Sequence, residues 1–305
     1  MHINGRVISV KRRFQKTLTG ERLPLKEETV KRDLGFLPIS VWDYQMDSKL
    51  KKIIDDTCAE IIYDPDVAKR TIRLYNSRYN KRVTKEQQLR LTLMNPSVAM
   101  RAISFWSKPG DMVIDPFGSR GVNVIVANYL GRHGVCYEVV PKYAQDIERK
   151  FKRFEELYPD LAAKTRRRVI CASSHDMHHI EDDSMDMCYG SPPYWDLEDY
   201  PDVDGQLASY EDYNEFLDRL QLHVNEVYRV LKPGCFIVWM VNDFRKEGKF
   251  YNFHGDVIRL FENAGFQLWD IVILYNRSPM QMYVGMAEKK RFTIKTHEYL
   301  VVGRK

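Results

Sequence analysis

From Val98 to Val302, apolar runs of strand length alternate with amphipathic segments of helical period, and no other feature limits the possible folds of this chain so tightly. Val98 to Trp106 reads as a helix after Asn95-Pro96, and Lys108-Pro109-Gly110-Asp111 as the turn into a first core strand, Met112 to Asp115. The series continues as helix Val122 to Leu130, strand Val135 to Val139, helix Lys142 to Leu157, strand Arg168 to Ala172 and strand Ser184 to Gly190. Helix Tyr210 to Leu231, strand Cys235 to Val241, helix Phe253 to Ala264, strand Gln267 to Leu274 and strand Phe292 to Val302 complete it. Strands spaced by such helices need crossover connections, so the expected fold class is α/β, a doubly wound and mostly parallel sheet. No helix separates the last two strands, which predicts that one of them is antiparallel to its neighbour.

Residues 1 to 91 read as a basic N-terminal extension, and residues 92 to 305 as the α/β domain. Turn signals at Gly5, Gly20, Pro24 and Gly35 suggest strands or extended arms before residue 40, whereas Asp47 to Cys58 and Asp66 to Leu93 have a helical pattern. The first hundred residues hold 20 Lys+Arg against 12 Asp+Glu, and the remaining 205 hold 27 against 30. Lys11-Arg12-Arg13, Lys51-Lys52 and Arg78 to Arg82 interleave with Tyr75 and Tyr79, a pattern suited to phosphates and bases; a solvated helix face is the alternative. No apolar stretch nears the ~20 residues of a membrane span, and no apolar leader follows the N-terminus, so a cytoplasmic protein is expected. Five cysteines, scattered singly and mostly within apolar runs, read as small buried hydrophobes in a reducing compartment.

The functional signal is Ser191-Pro192-Pro193-Tyr194-Trp195, directly after the apolar run Met185 to Gly190. Two prolines fix two φ angles and remove two N–H donors, so the flanking carbonyls are left to accept from something else. An exocyclic amine on a nucleobase needs two acceptors, which the Ser191 side chain and the Pro192 carbonyl supply, and an aromatic face, which Tyr194 supplies. Accepting both N–H protons favours a pyramidal nitrogen with its lone pair directed outward, the correction that a delocalised aromatic amine requires before it can attack.

This loop resembles the signature of the S-adenosylmethionine-dependent amino-methyltransferases of DNA, in which Asp, Asn or Ser precedes Pro-Pro and an aromatic residue. Gly110 to Gly121 resembles the family's cofactor motif, Tyr137-Glu138-Val139 its second acidic motif, and Val230 to Gly234, Val241-Asn242-Asp243 and His297 to Val302 its later segments. The resemblance implies a Rossmann-like methyltransferase sheet with S-adenosyl-L-methionine as cofactor. Asp115, Phe117, Gly118 and Gly121 would form the cofactor turn, Glu138 would accept both ribose hydroxyls, and Asp176 would stand near the adenine, a turn-capping role for Asp176 being the alternative. Where the family carries Asp-Pro-Phe-x-Gly-Ser-Gly, this chain places Ser119 at the first glycine and keeps Gly121 at the second.

Ser191, Pro192, Pro193 and Tyr194 are the implied catalytic group. Trp195 and Asn242 are expected to contact substrate, with packing and a strand-end turn as their alternatives, and Lys289-Lys290-Arg291 closes a Met-rich loop expected to face DNA. His175, His178 and His179 lack a fourth ligand at zinc spacing, and no metal is expected. The implied reaction is direct methyl transfer to a base swung out of the duplex. Ser at the head of the signature and Trp after Tyr are commoner in members acting on the cytosine N4 amine. Adenine N6 is the alternative, and a nucleic-acid-binding protein with a degenerate methylase fold is a third reading. DNA is the implied partner, and a restriction endonuclease accompanies such enzymes in restriction-modification systems.

Overall fold

In the computed structural model, the described residues are 2–3, 6–7, 40–43, 48–58, 95–197, 200–275 and 284–305. The expectations for Asp66 to Leu93, for the Lys11 and Arg78 clusters and for residues 276–283 lie outside them. The chain divides into two compact units, Met1–Pro38 and Ile39–Lys305. Within the first, β1 (His2–Ile3) and β2 (Arg6–Val7) pair antiparallel.

The second unit is built on a sheet that has, among the described residues, eight strands. They are β3 (Val41–Asp43), β4 (Met112–Asp115), β5 (His133–Tyr137), β6 (Arg167–Ile170), β7 (Met185–Gly190), β8 (Leu231–Val241), β11 (Gln267–Tyr275) and β12 (His297–Arg304). A short hairpin, β9 (Phe244–Lys246) and β10 (Lys249–Tyr251), projects between β8 and the next helix. Strand order is β3-β11-β12-β8-β7-β4-β5-β6. Only β12 runs against its neighbours, pairing antiparallel with both β11 and β8, so one of the last two strands is reversed as expected, although a short helix, Val284–Lys290, does lie between them. The chain winds outward from β4 through β5 to β6 and then returns to β7 on the other side of β4, so the topological switch point lies between β4 and β7.

Helices cover both faces. They are α1 (Ser48–Cys58), α2 (Pro96–Trp106), α3 (Val122–Tyr129), α4 (Pro141–Leu157), the one-turn α5 (Pro159–Ala162), α6 (Tyr213–Val230), α7 (Phe253–Ala264) and α8 (Val284–Lys290). Sequence dictates their ends. Asn95 caps α2 by accepting from Ser97 N at 3.0 Å ahead of Pro96, and Asp212 caps α6 by accepting from Asn214 N and Glu215 N at 2.8 and 2.9 Å. Phe216, Leu220, Val224 and Val227 recur at helical spacing on α6 and are fully buried, so that one face of α6 seals the sheet alongside α7. Burying each such side chain stabilises the fold by about 2 kcal/mol.

Several boundaries differ from the sequence reading. β3 and α1 fall in the segment read as an extension, yet they join the second unit as an edge strand beside β11 and a helix packed on α3 and α4. Lys289 and Lys290 belong to helix α8 rather than to a loop. The hairpin β9–β10 was hidden because Asn242-Asp243 reads as a strand-end turn, although Glu247-Gly248 between two short aromatic-basic runs is a hairpin signal.

Candidate active site

A cavity open to solvent lies at the carboxyl ends of β4, β5, β6 and β7. Phe117 and Ser119 line it after β4, Glu138 after β5, Ser173 and Ser174 after β6, and Ser191 and Pro193 after β7. The winding of the sheet gathers these four loops at the switch point.

The turn after β4 is held from beneath. Asp115 is buried; its Oδ1 accepts from Phe117 N at 3.0 Å and its Oδ2 from Asn123 Nδ2 at 2.8 Å. Burial pushes the Asp115 carboxyl up to about 6 against these two donors. Gly118 N donates to Tyr137 O at 2.6 Å, and a Cβ at Gly118 would stand 2.8 Å from that same carbonyl oxygen, so a side chain there would force β4 and β5 apart. Gly121 begins α3 at φ 72°. Of the expected cofactor turn, Phe117 lines the cavity, whereas Asp115, Gly118 and Gly121 shape it from below. Ser119, standing where the family has glycine, adopts φ 48°, the left-handed conformation that glycine favours.

Glu138 is buried beside this turn, its Oε1 accepting from Val140 N at 2.9 Å. Burial raises its carboxyl to about 7, opposed by backbone donors from Val140, Ser119 and Val139 and supported by the charge of Asp115. The carboxyl lies at the wall of the cavity.

Asp176 is elsewhere. Its side chain is 60% exposed and caps a local turn, accepting from His178 N at 3.0 Å, and the hydrogen bonds from His178 hold its carboxyl below the usual range. Asp176 thus takes the turn-capping alternative, and Ser173 and Ser174 line the cavity at this point of the chain. Ser174 Oγ donates to Pro116 O at 2.7 Å and accepts from His223 Nδ1 at 2.8 Å, tying the turns after β4 and β6 to α6. His223 also lines the cavity, and burial lowers it to about 3, so it is neutral. The sequence reading missed it, since a histidine on an amphipathic helix has no local signal. It likewise missed Gln206, which with Tyr200 and Leu207 closes the cavity from the loop before α6.

The diproline loop enters the cavity through Ser191 and Pro193. Ser191 Oγ donates to Met240 O at 2.9 Å, which commits its proton to β8 and leaves the oxygen lone pairs free to accept. The Tyr194 ring meets Phe253 edge-on at 5.9 Å. Gly190 allows the loop to abut the β4 turn, since a Cβ there would lie 3.1 Å from Asp115 Oδ1.

Trp195 takes the packing alternative. It is 5% exposed, its Nε1 donates to Tyr210 O at 2.9 Å, and its ring packs against Tyr213 and Tyr251, both at 5.3 Å. Its φ of 54° is unusual for a bulky residue, and these contacts hold it there. Asn242 is also committed, accepting from Lys295 Nζ at 3.1 Å. Neighbouring Asp243 pairs with Lys295 at 2.9 Å and His254 at 2.6 Å; burial alone would raise its carboxyl, but these partners hold it low. Lys289, Lys290 and Arg291 are exposed.

Parts of this chain have counterparts among known proteins. The type II methyltransferase M.MthZI of Methanothermobacter thermautotrophicus is 30% identical over 161 residues, 47% of this chain and 45% of the relative; the chain thus spans about half the length of the curated relative it matches. TTHA0409 of Thermus thermophilus, named as a candidate DNA modification methylase and solved with S-adenosyl-L-methionine, is 26% identical over 41% of this chain and 47% of its own, with a TM-score of 0.31. Geranyl diphosphate C-methyltransferase of Streptomyces coelicolor A3(2) is 15% identical over 72% of this chain and 81% of its own, with a TM-score of 0.46. The family described as DNA methylase matches residues 37–149 and 185–305, more than half of the sequence, and the chain belongs to that family.

Proposed function

We propose that this protein is an S-adenosyl-L-methionine-dependent DNA methyltransferase acting on the exocyclic N4 amine of cytosine, with the N6 amine of adenine as the alternative target. The observation that carries the reading is the meeting of the Ser191-Pro192-Pro193 loop and Glu138 in one cavity. The residues fit the cofactor: Glu138 lines the cavity and offers acceptor oxygens to a vicinal diol, and Gly118 lets the turn after β4 close against β5 beside it. When bound, the cofactor supplies an electrophilic methyl group on a sulfonium.

The chain's own residues prepare the amine. Ser191 Oγ, its hydrogen directed to Met240 O, accepts one N–H, and the Pro192 carbonyl accepts the other, so the nitrogen lone pair is turned away from the ring. Tyr194 supplies an aromatic face braced by Phe253. An amine paired inside a duplex cannot reach this recess, so the target base leaves the stack. The Ser head of the signature supports cytosine, by resemblance to the family's N4 members.

Incubation with labelled cofactor and duplex DNA, followed by nucleoside mass spectrometry, tests the assignment. N4-methylcytosine is the expected product; N6-methyladenine would select the alternative, and no labelled nucleoside would refute both. Ser191→Ala should reduce transfer at least about a hundredfold, the size of losing one transition-state contact, while cofactor affinity stays within a few fold of the parent protein.

A further inference from the structure

The hairpin β9–β10 leaves the sheet immediately after Asp243, beside the diproline loop. Its turn is Glu247-Gly248, both at positive φ (52° and 85°), the two-residue form that matches strand twist, and a Cβ at Gly248 would meet nothing within 4 Å. Register assigns its two faces. Phe244 pairs with Tyr251 and Lys246 with Lys249, while Arg245 pairs with Phe250, and paired residues share a face.

The first face is the anchor. Phe244 and Tyr251 stack at 5.1 Å and pack with Trp195, and the Lys246 ammonium lies 3.9 Å from the Trp195 ring centre while pairing with Asp196. The hairpin is thereby fastened to the residue that follows Tyr194. Trp195 is thus a positioning residue, joining the catalytic loop to the projecting element.

The second face is unburied. Phe250 is 44% exposed, although an apolar ring of this size gains by burial. Arg245 lies 5.0 Å from the Phe250 ring centre and 5.5 Å from that of Phe292, and the Lys295 ammonium lies 5.4 Å from Phe250. Phe292 directly follows Lys289-Lys290-Arg291 in sequence, and these three residues are exposed. Among the described residues, Arg245 has no carboxylate partner, whereas Lys295 pairs with Asp243 at 2.9 Å. An exposed aromatic ring flanked by the Arg245 guanidinium and the Lys295 ammonium matches a stacked, polyanionic partner.

We propose that this hairpin grips duplex DNA beside the target base, with Phe250 stacking on the bases next to the vacated position and Arg245 meeting the phosphates. The proposal rests on the methyltransferase reading above and adds to it the element that separates the duplex. Insertion of an apolar wedge offsets the unstacking that base flipping requires, and the anchor at Trp195 places that wedge in fixed relation to Ser191.

The test compares methyl transfer from labelled cofactor to a random-sequence duplex pool and to the same pool after heat denaturation. Phe250→Ala should lower the duplex-to-denatured ratio about tenfold, the loss expected for one stacking contact, and Phe250→Trp should keep the ratio within about threefold of the parent protein. Arg245→Ala should weaken duplex binding and flatten the slope of log affinity against log salt by about 1. An unchanged ratio in Phe250→Ala, an equal loss in the Trp variant, or an unchanged salt slope would overturn the assignment. Absence of transfer by the parent protein to either pool would instead overturn the methyltransferase reading, and this inference with it.

Discussion

Replacing Glu138 with glutamine should stabilise the ligand-free protein while damaging its cofactor site. The Glu138 carboxyl rises from 4.5 to about 7 because burial disfavours its charge. At about 1.4 kcal/mol per pH unit, keeping it ionised above pH 7 costs the fold up to about 3 kcal/mol. The folded state binds more protons than the unfolded state between these two values, so this group's contribution to stability falls as pH rises from 4.5 to about 7 and is constant above. The neutral amide avoids that cost but keeps only one oxygen for the donors at Val140 and Ser119, giving back about 1 kcal/mol for a lost hydrogen bond. Glu138→Gln should therefore be about 2 kcal/mol more stable at pH 8, read as a higher urea midpoint at unchanged slope, with the gain vanishing by pH 5. Cofactor affinity, measured by calorimetry, should fall at least about tenfold, because hydrogen bonds to a charged acceptor contribute about 1.5 to 3 kcal/mol each. A glutamine variant less stable than the parent at pH 8, or one whose gain persists at pH 5, would refute the reasoning.

Three further outcomes follow from the same geometry. Cofactor affinity of the parent protein should strengthen as pH rises through about 7 and level off above, since only ionised Glu138 accepts from both hydroxyls; a flat profile would remove Glu138 from that role. Gly190→Ala places a Cβ 3.1 Å from Asp115 Oδ1 and 3.2 Å from Pro116 Cδ, and should cost about 1 to 3 kcal/mol in urea unfolding along with a displaced catalytic loop and reduced transfer. Ser119→Gly relieves a left-handed residue at φ 48°, worth about 1 to 2 kcal/mol, against about 0.4 to 1 of added unfolded-chain entropy, so unfolding should show a gain of about 0.5 kcal/mol.

The sequence by itself determined the α/β class, the reversal of one of the last two strands, the four loops that build the cavity and the identity of the diproline signature. These were legible because periodicity, crossover length and proline stereochemistry act within a few residues or follow from connectivity alone. The tertiary structure decided which side chains face the cavity. Asp176 carries a carboxylate in the expected neighbourhood, yet the chain turns outward before reaching it and Ser173 and Ser174 line the wall instead. His223 has no neighbours in sequence that mark it, and it reaches the site because α6 packs across the sheet. Trp195 reads equally as lining or packing until Tyr210, Tyr213, Tyr251 and Lys246 close around it from elements 15 to 56 residues away. Which face of an exposed loop meets solvent depends on contacts distant in the chain, and no local pattern encodes them.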